Sequence, residues 1–162
     1  TSTSNIGKLS AGKEFDHKDT VQIMAATNIP YVFTGVDAFP QDLVRKAAKA
    51  QWYANNHGLV YGKILISCPL NWKSEDKDGS TLLEHAVNSN FFPLYEIENG
   101  RTTITYNPEE AGAKVDVEEW LKLMGKSKHL LKPENEGILT HFKSIVDKRW
   151  TKIVAKNDHP EL

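Results

Sequence analysis

The stretch from Ile29 to Ser67 constrains the fold more than any other part of the chain. "IPYVFTG" (29–35) reads as one short strand and "LVYGKILIS" (59–67) as a second, with a helix between them from Phe39 to Asn55. In that helix Pro40 stands in the first turn. Leu43, Val44, Ala47, Ala48 and Trp52 are expected on the buried side, and Arg45, Lys46 and Lys49 on the other. Strand, helix and strand within about 40 residues make a β-α-β unit, whose two strands are parallel and whose crossover is right-handed. Ile64, Leu65 and Ile66 form a continuous apolar run, the pattern of a parallel strand covered on both faces. In such sheets ligands gather at the carboxyl ends of the strands. Cys68, the only cysteine of the chain, stands at that edge and is followed by Pro69.

The rest of the chain reads as elements wrapped onto this unit. Asp16 to Asn28 is expected to be a short helix with Val21, Met24 and Ala25 on its apolar side. "STLLEHAVNSN" is a helix capped near Ser80 or Thr81, with Leu82, Leu83, Ala86 and Val87 as its apolar face. "FFPLYEIENG" and "TTITYN" read as strands joined by a turn at Asn99-Gly100, a strong hairpin signal. "DVEEWLKLM" is a helix capped by Asp116 and stopped at Gly125. Pro133 opens a long terminal helix whose stripe, from Ile138 through Phe142, Val146 and Trp150 to Val154, needs a partner surface.

With 162 residues, 40% apolar and 25% charged, one soluble globular domain is the expectation. It divides into a polar opening segment (1–15), a β-α-β core (16–72) and a helix, hairpin and terminal helices (80–162), with Lys73 to Gly79 as the one linker candidate. The chain begins with Thr1 and a polar dozen residues, which reads as a chain joined in mid-course.

Several functions are disfavoured. Lys and Arg number 20 against 21 Asp and Glu, a net charge of −1, so no basic field attracts nucleic acid. No apolar stretch approaches the roughly 20 residues of a membrane span. One cysteine excludes a disulfide-built secreted fold, and the cytoplasm is the expected location. "GKLSAGK" lacks the phosphate-loop pattern because Glu14 follows Lys13. The six histidines are scattered without zinc-ligand pairing, and Glu118-Glu119 beside Asp116 reads as favourable charge at a helix start.

Cys68 itself admits three readings. It is a small buried hydrophobe, or a nucleophile needing a base, for which His57 and His85 are nearest in sequence. Alternatively it is one ligand of an iron–sulfur cluster, with three further thiolates from outside this chain.

The order of these pieces adds a resemblance. "GKLSAGKEFDHKDTVQIMAATNIPYVFTG", a Phe-Pro start to a basic helix, "ILISCPLNW", "FFPLYEIENG" and "VEEWLKLMGKSKHL" follow one another from Gly7 to Trp150. Together this resembles the carboxyl-terminal half of the thiamine-diphosphate-binding β subunit of the 2-oxoacid:ferredoxin oxidoreductases, the pyruvate synthase family. Its most specific parts are Cys68, Pro69 and Trp72, and the run from Pro93 to Gly100.

The resemblance implies an α/β fold: part of a parallel-sheet thiamine-diphosphate-binding fold, with an added hairpin and a long C-terminal helix. It implies oxidative decarboxylation of a 2-oxoacid such as pyruvate with coenzyme A, electrons passing through iron–sulfur clusters to ferredoxin. Cys68 matches the last of four cysteines that hold a 4Fe–4S cluster. The other three, and the Gly-Asp-Gly motif for thiamine diphosphate and Mg2+, precede the matching region. The implied partners are therefore the N-terminal half of the β subunit, the other oxidoreductase subunits and ferredoxin, and the isolated chain is expected to be inactive. Leu70-Asn71 stand where the family often has Thr-Gly, which leaves the 2-oxoacid open. The rival reading is a non-catalytic interaction module that keeps the fold, with Cys68 merely buried.

Overall fold

The structure, a computed structural model, describes residues 18–161. The opening segment 1–15, with its Gly7–Lys13 stretch, and His17 lie outside the described residues.

The expected β-α-β unit is present. Strand β1 (Tyr31–Val36) leads through helix α2 (Pro40–Asn56) to strand β2 (Val60–Leu65), and the two strands pair in parallel from Tyr31↔Val60 to Val36↔Leu65. Helix α1 (Thr20–Ala25) precedes them, with the Asp19 carboxylate accepting the Gln22 N–H at 3.3 Å. The expected hairpin follows as β3 (Leu94–Glu98) and β4 (Arg101–Tyr106). Its turn needs left-handed backbone at both central residues, and Asn99 (φ 50°) and Gly100 (φ 87°) supply it. β3 pairs antiparallel with β1, so the sheet is mixed, in the order β2-β1-β3-β4.

Helices cover the sheet on two faces and at one end. On one face, Val32, Tyr95 and Ile97 pack against Val21 of α1 and Ile153 of the terminal helix α6 (Glu136–Asp158). On the other, Tyr31 and Phe33 meet Tyr53, Leu43 and Ala50 of α2. The largest cluster lies beyond the carboxyl ends of the parallel pair. There Val36 and Trp72 join Leu82, Leu83, Ala86 and Val87 of α4 (Gly79–Asn88), Trp120 and Leu121 of α5 (Val117–Lys122), and Phe142 and Val146 of α6.

Four expectations are corrected. α2 is rotated from its expected face: Val44 and Trp52 are exposed, whereas Lys46 is buried at 2% exposure. Lys46 Nζ donates to the Thr34 carbonyl at 2.9 Å and to Asp42 Oδ2 at 2.7 Å, which makes a lysine tolerable on the inward side although the apolar pattern assigns it to the polar one. Burial pulls the Lys46 pKa down and Asp42 works against that pull. Second, β2 is not covered on both faces; it is an edge strand, and Ile64 and Ile66 are exposed. Third, α4 follows Asp78 with no side-chain cap, since a short turn at Asp76–Asp78 runs straight into it; neither Ser80 nor Thr81 caps it. Fourth, Pro133 opens a separate turn, Pro133–Asn135, and the stripe of α6 is absorbed inside the chain: Phe142, Val146, Trp150 and Ile153 are buried. The terminal helix therefore does not present Trp150 to another chain. Lys73 to Gly79, the linker candidate, is tied to Gly125, just past α5, at its start and to Ser67 at the strand exit at its end.

Candidate functional site

Strand β2 ends at Leu65, and the chain runs through Ile66 and Ser67 to Cys68 before helix α3 (Pro69–Trp72). Pro69 begins the helical turn, where its missing N–H costs nothing. The Cys68 carbonyl accepts the Trp72 N–H at 2.8 Å and the Pro69 carbonyl accepts the Ser74 N–H at 3.2 Å, closing a compact turn that Lys73 leaves in the left-handed region (φ 53°).

Beneath this turn the loop is held from three directions. Trp72 is buried and meets Trp120 edge-on, ring centroids 6.3 Å apart. The N–H groups of Gly125 and Lys126 donate to the carbonyls of Lys73 and Trp72 at 3.1 and 3.3 Å. A Cβ on Gly125 would lie 2.8 Å from the Lys73 carbonyl oxygen, so only glycine permits this approach. Gly79 packs under Ser67, where a Cβ would stand 3.0 Å from its Oγ.

Above, the same loop is open. Cys68 is exposed, and so are Leu70 (94%) and Ile66 (63%). The reading of Cys68 as a small buried hydrophobe is thereby overturned: the strand points its last residues past the core, and Trp72, four residues on, takes the buried position. Trp72 packs into the core, and the thiol rides above it. Lys126 reaches over the Trp72 ring, Nζ 6.0 Å from its centroid. Burial pushes the pKa of this ammonium down, and the neighbouring Cys68 acts in the opposite sense.

An exposed, rigidly mounted thiol beside a cation can bind a soft metal or react as a nucleophile. The second use needs a base. His57 packs on Trp52 and Tyr53 before β2 begins, at the far end of the strand from Cys68. His85 is bonded through Nδ1 to the Thr81 carbonyl of its own helix at 2.9 Å. Neither histidine is brought to the thiol. For the first use, the chain has no second cysteine, and no group of three or more His, Cys, Asp and Glu among the described residues could hold a metal ion. The residues present fit one corner of a cluster and not a whole one, and they offer no set of ligands for a Mg2+–diphosphate.

Sequence reasoning marked Cys68, Pro69 and Trp72 but not the parts that hold the loop from below. Gly125, expected only as a helix stop, lies three residues past the end of α5 and is the close-contact point with the Cys68 turn. Lys126 carried no signal, since one lysine in "GKSKHLLK" looks like its neighbours.

A second polar group lies at the opposite end of β1. Tyr31 donates to Glu96 at 2.6 Å, Tyr53 to Glu98 at 2.6 Å, and Lys49 bridges Glu96 and Glu98 at 2.7 and 3.0 Å. Burial, then Glu96, push the Tyr31 pKa up, so the phenol stays protonated. These groups satisfy one another and clamp α2 to the hairpin.

No helix among the described residues is long and apolar enough to cross a membrane. No family model matches the chain. It is similar to pyruvate synthase subunit PorB of Pyrococcus furiosus, at 37% identity over 82% of this chain and 44% of that protein. PorB of Methanocaldococcus jannaschii is 36% identical over 85% of this chain and 44% of its own length. Ketoisovalerate oxidoreductase subunit VorB of Pyrococcus horikoshii is 32% identical over 75% and 38% respectively. The chain spans less than half the length of these curated relatives.

Proposed function

Since the chain belongs to the β-subunit family of the 2-oxoacid oxidoreductases, we propose that it forms the carboxyl-terminal part of such a subunit and supplies Cys68 as one of four thiolates around a 4Fe–4S cluster. The observation that carries this reading is the exposed thiol on a turn fixed from below by Trp72, Gly125 and Lys126. A structural cysteine would be buried, and a nucleophile would have a base.

The roles of the chain's own residues follow from the geometry. Trp72 and the Gly125 contact hold the Cys68 backbone in place, so that the thiol meets the other ligands without reorganisation. Lys126, held over the Trp72 ring, places a positive charge on the support of the Cys68 turn. When bound, such a cluster takes up and passes on electrons one at a time. The other three thiolates, and the groups that hold thiamine diphosphate and Mg2+, come from the N-terminal part of the subunit. On this reading the complex oxidises a 2-oxoacid with coenzyme A, hands electrons to ferredoxin and works in the cytoplasm. PorB and VorB are named for different 2-oxoacids; Leu70-Asn71, exposed beside the thiol, are positions where this complex can differ from either.

The test is iron content and low-temperature electron paramagnetic resonance of the complex containing this chain, with Cys68→Ala against wild type. The expected outcome is loss or conversion of one 4Fe–4S signal and a drop of the iron count by up to one cluster, while the subunits stay associated. Unchanged iron and an unchanged spectrum would remove Cys68 from the cluster. The isolated chain is expected to carry no iron and no oxidoreductase activity.

A further inference from the structure

We propose that the cavity shared by Lys63 of β2 and Arg149 of α6 is a binding site for one small monovalent anion of halide size. The proposal stands apart from the cluster assignment, since no residue of the Cys68 turn lines this cavity.

Two cations meet here, where the sheet, the start of α1 and the terminal helix come together. The cavity is about 20 Å³, with Asp19, Thr34, Lys63, Phe92, Tyr95 and Arg149 in its wall. That is room for one water-sized occupant. Lys63 lies over the Phe92 ring, Nζ 6.0 Å from its centroid, and makes no hydrogen bond or ion pair among the described residues. Arg149 lies over the Phe91 ring, Cζ 5.8 Å from its centroid, and its Nη2 donates to the Phe91 carbonyl. Its Nε is sealed from solvent and has no acceptor among the described residues.

The rest of the wall does not supply one. Asp19, the one carboxylate, is ion-paired with neither cation, and its Oδ1 accepts the Gln22 N–H at 3.3 Å. Thr34 Oγ1 accepts the Tyr95 N–H at 3.0 Å and donates to the Pro93 carbonyl at 2.7 Å. Burial, then Asp19, push the Tyr95 phenol up to about 12, so it brings no charge. The wall therefore holds two positive charges against one negative, and burial works against both cations. Charged donors held away from water without acceptors are costly. A single anion accepts from the ammonium and the guanidinium together and offsets the excess charge. A whole sulfate or phosphate exceeds the space, whereas a halide matches it. With Lys63 on the sheet and Arg149 on the terminal helix, the bound anion ties one to the other.

The test uses the protein in its native assembly. Crystals soaked in sodium bromide and measured at the bromine absorption edge should show an anomalous peak between Lys63 and Arg149. Lys63→Met, a change that removes no side-chain hydrogen bond, should abolish the peak. In solution, replacing gluconate by about 200 mM bromide at constant ionic strength should slow amide exchange around Arg149 at least threefold, the factor for half-saturation at about 100 mM. Lys63→Met and Arg149→Met should each lose this slowing, whereas a general salt effect acts on wild type and variants alike. A water or a carboxylate of the chain in place of bromide would overturn the site. So would equal slowing in wild type and both variants. A peak in the crystal without any slowing in solution would mean an adventitious ion only, and would overturn it as well.

Discussion

The sheet has two edges, and they are finished differently. At β4 the terminal helix lies alongside, and Asn157 Oδ1 accepts the Ile104 N–H at 2.9 Å, so a side chain of α6 occupies a group that would otherwise invite a neighbouring strand. The strand itself is polar, with Arg101 and Thr103 exposed, and its pairing with β3 shifts between Leu94 and Tyr95. At β2 none of this is found among the described residues: the register is unbroken, the one lysine is turned inward, and Ile64, with Ile66 just past the strand, is exposed. The contrast separates an edge finished with polar groups and a helix from an edge finished with apolar side chains.

The largest expected effect is at the anchor of the β2 end. Trp72→Ala empties a buried site against Trp120 and should cost about 3–5 kcal/mol of stability, as aromatic truncations in cores do. Urea denaturation of the chain measures it. A loss below about 1 kcal/mol would mean that the Cys68 turn is not held by the core, and the contrast between a fixed turn and an open edge would collapse. Next comes the finished edge. Asn157→Ala leaves the Ile104 N–H without its acceptor, which should cost about 1 kcal/mol because water can partly replace the amide at a half-buried edge. Exchange at the Ile104 amide should quicken accordingly, and an unchanged rate would show that α6 does not guard β4.

Most of the fold could be read from the sequence because its signals are local. The strand-helix-strand spacing, the Asn99-Gly100 turn, the Asp116 cap and the apolar face of α4 each depend on neighbours a few residues away, and each is found in the structure. What could not be read depends on distant partners. Lys46 is buried because the Thr34 carbonyl and Asp42 happen to meet it, and that rotates α2 so that Val44 and Trp52 face outward. The terminal stripe looked unpartnered because its partners, α4, α5 and the sheet, lie far along the chain. At the candidate site the cysteine was visible and its support was not. Nothing near Gly125 in sequence signals that it touches Lys73, and the exposure of Cys68 depends on Trp72 filling the core in its place.

The smallest effect concerns acid, and it falls on the side of the sheet away from β2. Tyr53 first, and then Lys49, hold the Glu98 carboxyl below its ordinary 4.5, against the opposing pull of burial. A carboxylate whose folded pKa is depressed contributes stability that is present above its unfolded value and lost as the pH falls through the folded one. The clamp between α2 and the hairpin should therefore weaken as the pH drops below 4.5. Glu98 and Lys49 are both part-exposed, so solvent screens the pair and the effect should stay below about 1 kcal/mol. Glu98→Gln should make stability less dependent on pH in that window without abolishing the dependence. Asp116 keeps its own share: burial raises its pKa, but the Glu118 N–H and Lys143 together outweigh that and hold it low. β2 carries no carboxylate, so its amides, corrected for intrinsic rates, should hardly respond to the Glu98 substitution while those of β3 lose protection in acid. Equal responses at β2 and β3 would show that the two sides of the sheet open as one unit, and that the difference between their edges lies in finish and not in local stability.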